Sequence, residues 1–223
     1  MGQCGRWIIA DRQRTAHGSP GRASRIRGME GRLPRIRGLR PGRHPGMEAQ
    51  ATRIAEFQPG MVSGLLQTSE YAREFLHLAC GPLSYGQDED EIDWMVATRM
   101  QRRRVPYQPA KPVQVVMLEG ALRARVVSVP TLAGQLDRLL AVTGLPALEL
   151  SIIAFAAAVP VFPLSGFRLY GDLVIVESIV GEQQLAEADD VARYEKYVEL
   201  LRGAASTGTE AAAVIRRSLE SLR

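Results

Sequence analysis

The residues best suited to chemistry in this 223-residue chain are few and scattered. There are three histidines, His17, His44 and His77, and two cysteines, Cys4 and Cys80. His77 and Cys80 stand in an H-x-x-C spacing, which suits two of the four ligands of a tetrahedral zinc. No further Cys or His follows to complete the set, so the spacing reads as a helix-face histidine beside a buried thiol. A nucleophile needs a base beside it, and from Met47 onward His77 is the single histidine on offer. Ser165 precedes Gly166 but lacks the flanking glycines of a nucleophile elbow. Glu119 and Glu177 close apolar runs, where strand-end carboxylates often act, yet two acids work as a pair only if the fold brings them together. No G-x-G-x-x-G, Walker-type phosphate loop or H-E-x-x-H occurs. These residues argue against an enzyme and imply no metal and no cofactor.

Charge is the stronger signal. The net charge is +4, but residues 1–46 hold eleven Arg against Asp11 and Glu30, while the remainder is acidic by five. A basic tail on an acidic domain accounts for the split. In the tail nine Gly and four Pro accompany the arginines, and apolar residues do not recur at helical spacing. Such a stretch buries too little to offset its ordering entropy, so residues 1–46 are expected to be disordered. Arg25, Arg27, Arg35, Arg37 and Arg40 are the candidates there for tracking phosphates in a salt-sensitive, sequence-blind way. Trp7 is the one aromatic in the segment, so stacking on bases is not provided for. The same Arg/Gly/Pro mixture is what a GC-rich gene yields from a displaced start or frame, with Met47 near the point where the frame resumes.

Two cysteines, one of them in the tail, provide no disulfide framework and suit a reducing cytoplasm. No run reaches the length of a membrane span, and the Trp7–Ala10 patch is too short for a signal peptide.

From Met47 the chain reads as one domain, 47–223. Met47 to Glu56 has helical spacing, with Ala51, Ile54 and Ala55 on one side, before the turn signal Pro59-Gly60. The apolar stretch Met61 to Gln67 is expected to plug its leucines into the core. Thr68 is a good N-cap for a helix with Tyr71, Phe75, Leu76 and Ala79 as its stripe, stopped by Gly81-Pro82. Asp88 to Arg104 predicts a third helix with acids at its start and Arg99, Arg102, Arg103 and Arg104 at its end, an order that complements the helix dipole and implies a solvated arginine cluster; phosphate binding is the competing use of that cluster. Val113 to Leu118 and Leu148 to Phe155 read as strands, with a helix between them opened by Ser128 and Pro130. Gly171-Asp172 predicts a hairpin joining Phe167–Tyr170 to Leu173–Glu177. Helices from Asp189 to Gly203 and from Glu210 to Leu222 finish the chain. The sum is an α+β fold: a small mixed or antiparallel sheet of about four strands with five or six helices. Residues 156–164, AAAVPVFPL, form an apolar connection that is either core or an interaction surface.

Several of these segments together resemble the C-terminal domain of actinobacterial Xre-type helix-turn-helix regulators, the Scr-family antitoxin-like group. The residues are Ser63-Gly64-Leu65-Leu66-Gln67-Thr68, Tyr71-Ala72-Arg73, Arg99-Met100-Gln101-Arg102, Glu119-Gly120-Ala121-Leu122-Arg123, Gln135-Leu136-Asp137-Arg138-Leu139, Gly166-Phe167 and Val174 to Glu177. The likeness runs in order over about 47–220. Ser63 departs from the usual proline, the 156–164 loop is more apolar than in that group, and residues 1–46 offer no helix-turn-helix. The resemblance implies a regulatory domain that senses a small-molecule effector, or a small protein partner of a toxin–antitoxin-like pair. Relatives of this kind reach DNA through a helix-turn-helix, and a homodimer fits the class. Candidate ligand or partner residues are Leu65, Leu66, Gln67, Thr68, Tyr71, Arg99, Arg102, Glu119, Arg123, Phe162, Phe167 and Glu177. The rival readings are nucleic-acid binding by the tail and a small-molecule enzyme using the 156–164 loop with Glu119 or Glu177.

Overall fold

A computed structural model describes residues 46–80, 88–162, 165–178 and 181–222. The tail arginines Arg25, Arg27, Arg35, Arg37 and Arg40 lie outside the described residues, as do the expected disorder of residues 1–45 and the Gly81-Pro82 stop. The fold is α+β. In chain order the elements are α1 (Met47–Gln50), β1 (Ile54–Gln58), α2 (Ser69–Cys80), α3 (Glu89–Arg102), a 3-10 turn (Val105–Tyr107), β2 (Val113–Leu118), α4 (Glu119–Arg123), α5 (Val129–Val142), β3 (Leu148–Ile153), β4 (Phe167–Tyr170), β5 (Leu173–Ser178), β6 (Gly181–Leu185), α6 (Ala188–Gly203), β7 (Ser206–Thr207) and α7 (Gly208–Glu220).

One seven-stranded sheet runs β6-β5-β4-β1-β2-β3-β7. Its middle is parallel: β1 pairs with β2 from Ile54 opposite Val113, and β2 pairs with β3 from Val113 opposite Leu148. The flanks are antiparallel. β4 runs against β1, the meander β4-β5-β6 extends one edge, and short β7 closes against β3. Parallel neighbours need crossovers, supplied here by α2 with α3, and then by α4 with α5.

Each face of the sheet carries its own core. Ile54, Val115, Met117, Leu150 and Ile152 pack under Leu132, Leu136 and Leu139 of α5 and Val214 and Ile215 of α7. On the opposite face Ala55, Phe57, Val116, Phe167 and Leu169 lie under Val191, Val198 and Leu201 of α6. A third cluster, Ala72, Leu76, Cys80, Ile92, Met95 and Val96, joins α2 to α3.

Most element expectations match. Thr68 caps α2, its Oγ1 accepting the Tyr71 N–H at 3.2 Å, and Asp88 caps α3 by accepting the Glu91 N–H at 2.9 Å. Leu65 and Leu66 are fully buried, as their loop requires. The hairpin turns at Gly171, whose φ of +60° is the left-handed backbone that glycine accepts without a Cβ clash.

Four expectations change. The helix from Met47 to Glu56 stops at Gln50, and Ile54–Gln58 is instead the central strand β1. All five of its residues are buried, so it lacks the alternation that marks a half-exposed strand, and pairing to β2 and β4 overrides local propensity. Seven strands stand where about four were expected, because β6 is the polar edge GEQQL and β7 is two residues long. Among the described residues there are seven α-helices, the short α4 being the one not expected. Finally, the arginines ending α3 are not all solvated. Arg99 and Arg102 are buried, because α3 lies with that face against the domain rather than in water.

Candidate functional site

The burial of Arg99 and Arg102 leads to the site. On the first-core face of β1, Glu56 and Gln58 replace apolar residues, and beside them on β4 stand Arg168 and Tyr170. Residues 59–67 cross over this end of the sheet. There Ser63 Oγ donates to Glu56 Oε2 at 2.6 Å, and Gln58 Nε2 donates to Glu56 Oε1 at 2.7 Å. Both oxygens of a carboxylate with 1% exposure are thereby satisfied, as a buried charge demands. Ser63 is thus the loop residue that reaches Glu56.

The loop is pinned from its other side. Gln67 Nε2 donates to the Val62 carbonyl at 2.8 Å, its Oε1 accepts from Arg99 Nη1 at 2.8 Å, and the Val62 N–H donates to Tyr71 Oη at 3.3 Å. Gln135 of α5 donates to the Leu66 carbonyl at 3.0 Å and accepts from the Thr68 N–H at 2.7 Å. Burial pushes the Tyr71 phenol up, so it stays protonated at neutral pH.

Arg99 makes that bond to Gln67 and lies 5.5 Å from the Phe75 ring centroid, a cation–π contact. Burial, then the neighbouring charge of Arg102, lowers its pKa to about 10, which still leaves it cationic at neutral pH. Arg168 forms an ion pair through Nη2 with Glu177 of β5. Burial works against that cation, but Glu177 first, then Tyr170 and Glu56, outweigh it and hold the guanidinium above its ordinary pKa. Arg102 pairs with Glu48 of α1, and Tyr170 Oη sits between them, donating to Glu48 at 3.2 Å and accepting from Arg102 at 3.3 Å. Burial raises the Tyr170 phenol further than any charge lowers it.

An open cleft of about 300 Å³ lies over this network, between Met61 and Phe75 on one side and Gly166 and Ile175 on the other. Arg168 and Glu177 line it, with side chains 10% and 38% exposed. Gly166 is needed there: a Cβ would meet Gln58 Oε1 at 3.1 Å and the Phe57 carbonyl at 3.2 Å. A larger hollow of about 460 Å³ lies beside α1 and the Gly171 turn, but Arg53 on its wall is already engaged by Glu195. The smaller cleft is the better site because opposite charges and apolar walls meet in it.

Residues 42–217 match a family described as a domain of unknown function, DUF5753. The chain belongs to that family. Among curated proteins none matches the sequence. The DUF5753 match spans the fold from α1 into α7, so the sheet, the crossing loop and the cleft are parts of one DUF5753 domain. No helix among its described residues is long and apolar enough to cross a membrane.

The sequence candidates are divided by the DUF5753 fold. Leu65, Leu66, Gln67, Thr68, Tyr71 and Arg99 gather around the crossing loop, Arg102 pairs with Glu48 and Tyr170, and Glu177 reaches the cleft. Glu119 stands apart at the end of β2, its Oε1 accepting from Arg123 at 2.9 Å and its Oε2 from the Phe155 N–H at 3.0 Å. Glu119 follows β2 and Glu177 lies on β5, and β1 and β4 stand between those two strands, so they do not form an acid pair. Phe167 packs its ring into the opposite core, 4.8 Å from Tyr194. Phe162 is 77% exposed, with its carbonyl accepting from Tyr197 Oη at 2.7 Å. Ala156 to Phe162 therefore reads as surface rather than core; Pro163 and Leu164 lie outside the described residues. His77 is exposed and Cys80 buried, and no group of three or more metal-ligating side chains forms among the described residues.

Sequence reasoning missed Glu48, Glu56, Gln58, Arg168 and Tyr170. The available signal is Glu56 and Gln58 alternating with apolar Ala55 and Phe57 at period two, which the helical spacing of Ala51, Ile54 and Ala55 masks.

Proposed function

We propose that this DUF5753 domain is the sensing half of a transcription regulator of the Xre type, whose occupied or empty state is passed to the segment before Met47. The likeness of residues 63–73 and 119–123 to antitoxin-like regulators supports the class of function. One structural observation carries the mechanism: the Glu48–Arg102–Tyr170 group ties α1 to β4, and Arg168, two residues from Tyr170 on the same strand face, lines the cleft. An occupant that draws on Arg168 and Glu177 alters the field and packing at Tyr170, and through Glu48 the helix at the start of the domain. Sensing of this kind needs a ligand that favours one of two arrangements of that group.

The test is transcript profiling of a strain lacking the gene, complemented with the wild-type chain or with Arg168→Gln. The reading expects a limited set of transcripts, neighbouring genes among them, to change on deletion. The wild-type chain restores them and R168Q does not. An unchanged transcript profile overturns it.

A further inference from the structure

The cleft itself narrows what could occupy it. Its charged groups are a carboxylate and a guanidinium side by side, with Gln58 also on the wall: Glu177, reachable from solvent, and the more deeply buried Arg168. Arg168 engages Glu177 through Nη2, and a guanidinium has five N–H donors, so a second carboxylate can be received without discharging the first. Arg99 lies 5.5 Å from the Phe75 ring centroid and feels the charges of both Arg168 and Glu177, so a buried cation backs the Phe75 wall. The other walls are Met61, Pro59 and Ile175. A volume of about 300 Å³ is at the lower limit of small-molecule pockets, large enough for a molecule of amino-acid or dipeptide size and too small for a nucleotide cofactor.

From this geometry we infer that the cleft binds a small zwitterion with an apolar side chain, an α-amino acid or the like. Its carboxylate lies on Arg168, its ammonium on Glu177, and its side chain against Phe75, Met61 and Ile175. This deepens the sensing reading and rests on the cleft being the sensing site. A simple anion meets the exposed Glu177 carboxylate and is repelled, and a simple amine leaves the arginines without a new partner. Both signs in one molecule satisfy both groups, and sites built to hydrogen-bond a substrate discriminate sharply against analogues lacking the matching group.

Isothermal titration of the full chain at low salt tests this with L-leucine, L-phenylalanine, 4-methylpentanoate, 3-methylbutylamine and inorganic phosphate as probes. The expected result is saturable binding of one or both amino acids, and binding at least about ten-fold weaker for the carboxylate-only and amine-only analogues. Glu177→Gln takes the acid from buried Arg168, so its folding is checked by circular dichroism; the folded variant is expected to erase the difference between L-leucine and 4-methylpentanoate. Arg168→Gln weakens both, and its folding is checked by circular dichroism. Equal binding of phosphate or 4-methylpentanoate and L-leucine to the wild-type chain overturns the zwitterion assignment, as does the absence of saturable binding by every probe. If transcripts respond to the gene but no amino acid binds, the ligand is wrong and the regulatory reading stands. If an amino acid binds but deletion leaves transcripts unchanged, the site stands and the regulatory reading falls.

Discussion

Glu48 Oε1 lies 2.5 Å from Arg102 Nε, and the two side chains are only 4% and 9% exposed. The pair fastens the four-residue helix α1, too short to be stable by itself, to the end of α3. A buried pair adds little over an apolar replacement, but removing one partner strands the other charge.

Glu48→Ala is therefore expected to cost about 3–5 kcal/mol in urea unfolding, by leaving Arg102 buried without its acid. The double variant Glu48→Leu with Arg102→Met should recover most of that loss. Equal destabilisation in the single and double variants counts against the stranded-charge account.

Gln135 bridges two backbone groups of the crossing loop, the Leu66 carbonyl and the Thr68 N–H, and is fully buried. Gln135→Leu leaves both without a partner, at about 1–3 kcal/mol for each group. The urea midpoint should fall accordingly. Faster hydrogen exchange at residues 62–68 would locate the damage in the loop.

Glu74 accepts from the Ser128 N–H and hydroxyl and from Thr131, at the junction of α2 with the start of α5. The Ser128 backbone bond is the main cause that holds its carboxyl below 4.5 in the folded state. A depressed folded pKa means that the unfolded chain takes up its proton first. The contribution is present above pH 4.5 and is lost as pH falls through the folded value. Glu74→Gln should flatten the stability profile below pH 4.5 relative to wild type, as measured by thermal melts from pH 7 to pH 3. The effect is modest because the site is largely solvated.

Phe162 and Phe167 give opposite outcomes despite being five positions apart. Phe162→Ser, on a 77% exposed side chain, should change stability by no more than about 0.5 kcal/mol. Phe167→Ala empties a space among Phe57, Tyr194 and Tyr197 and should cost about 3–5 kcal/mol. Parallel denaturant titrations distinguish them, and a large loss at Phe162 would mean that the 156–162 loop is packed after all.

Local chemistry in the sequence determined much of this molecule. Thr68 and Asp88 announce their helices because a side-chain oxygen three residues ahead of a backbone N–H can satisfy it without any help from the rest of the chain. Gly171 marks its hairpin for the same local reason, and the leucine spacing of α5 shows which face is buried. The tertiary structure decided what depends on burial from both sides. Ile54–Gln58 became a strand only because β2 and β4 flank it and both its faces are covered, which removes the alternation a reader looks for. Arg99 and Arg102 look like solvated helix-end cations until the fold lays that face of α3 against Gln67, Phe75 and Glu48. The cleft was beyond the reach of spacing for the same reason. Its charged pair, Arg168 and Glu177, sits on two strands, and its Phe75 wall comes from a helix far earlier in the chain; only the sheet register brings them to one opening.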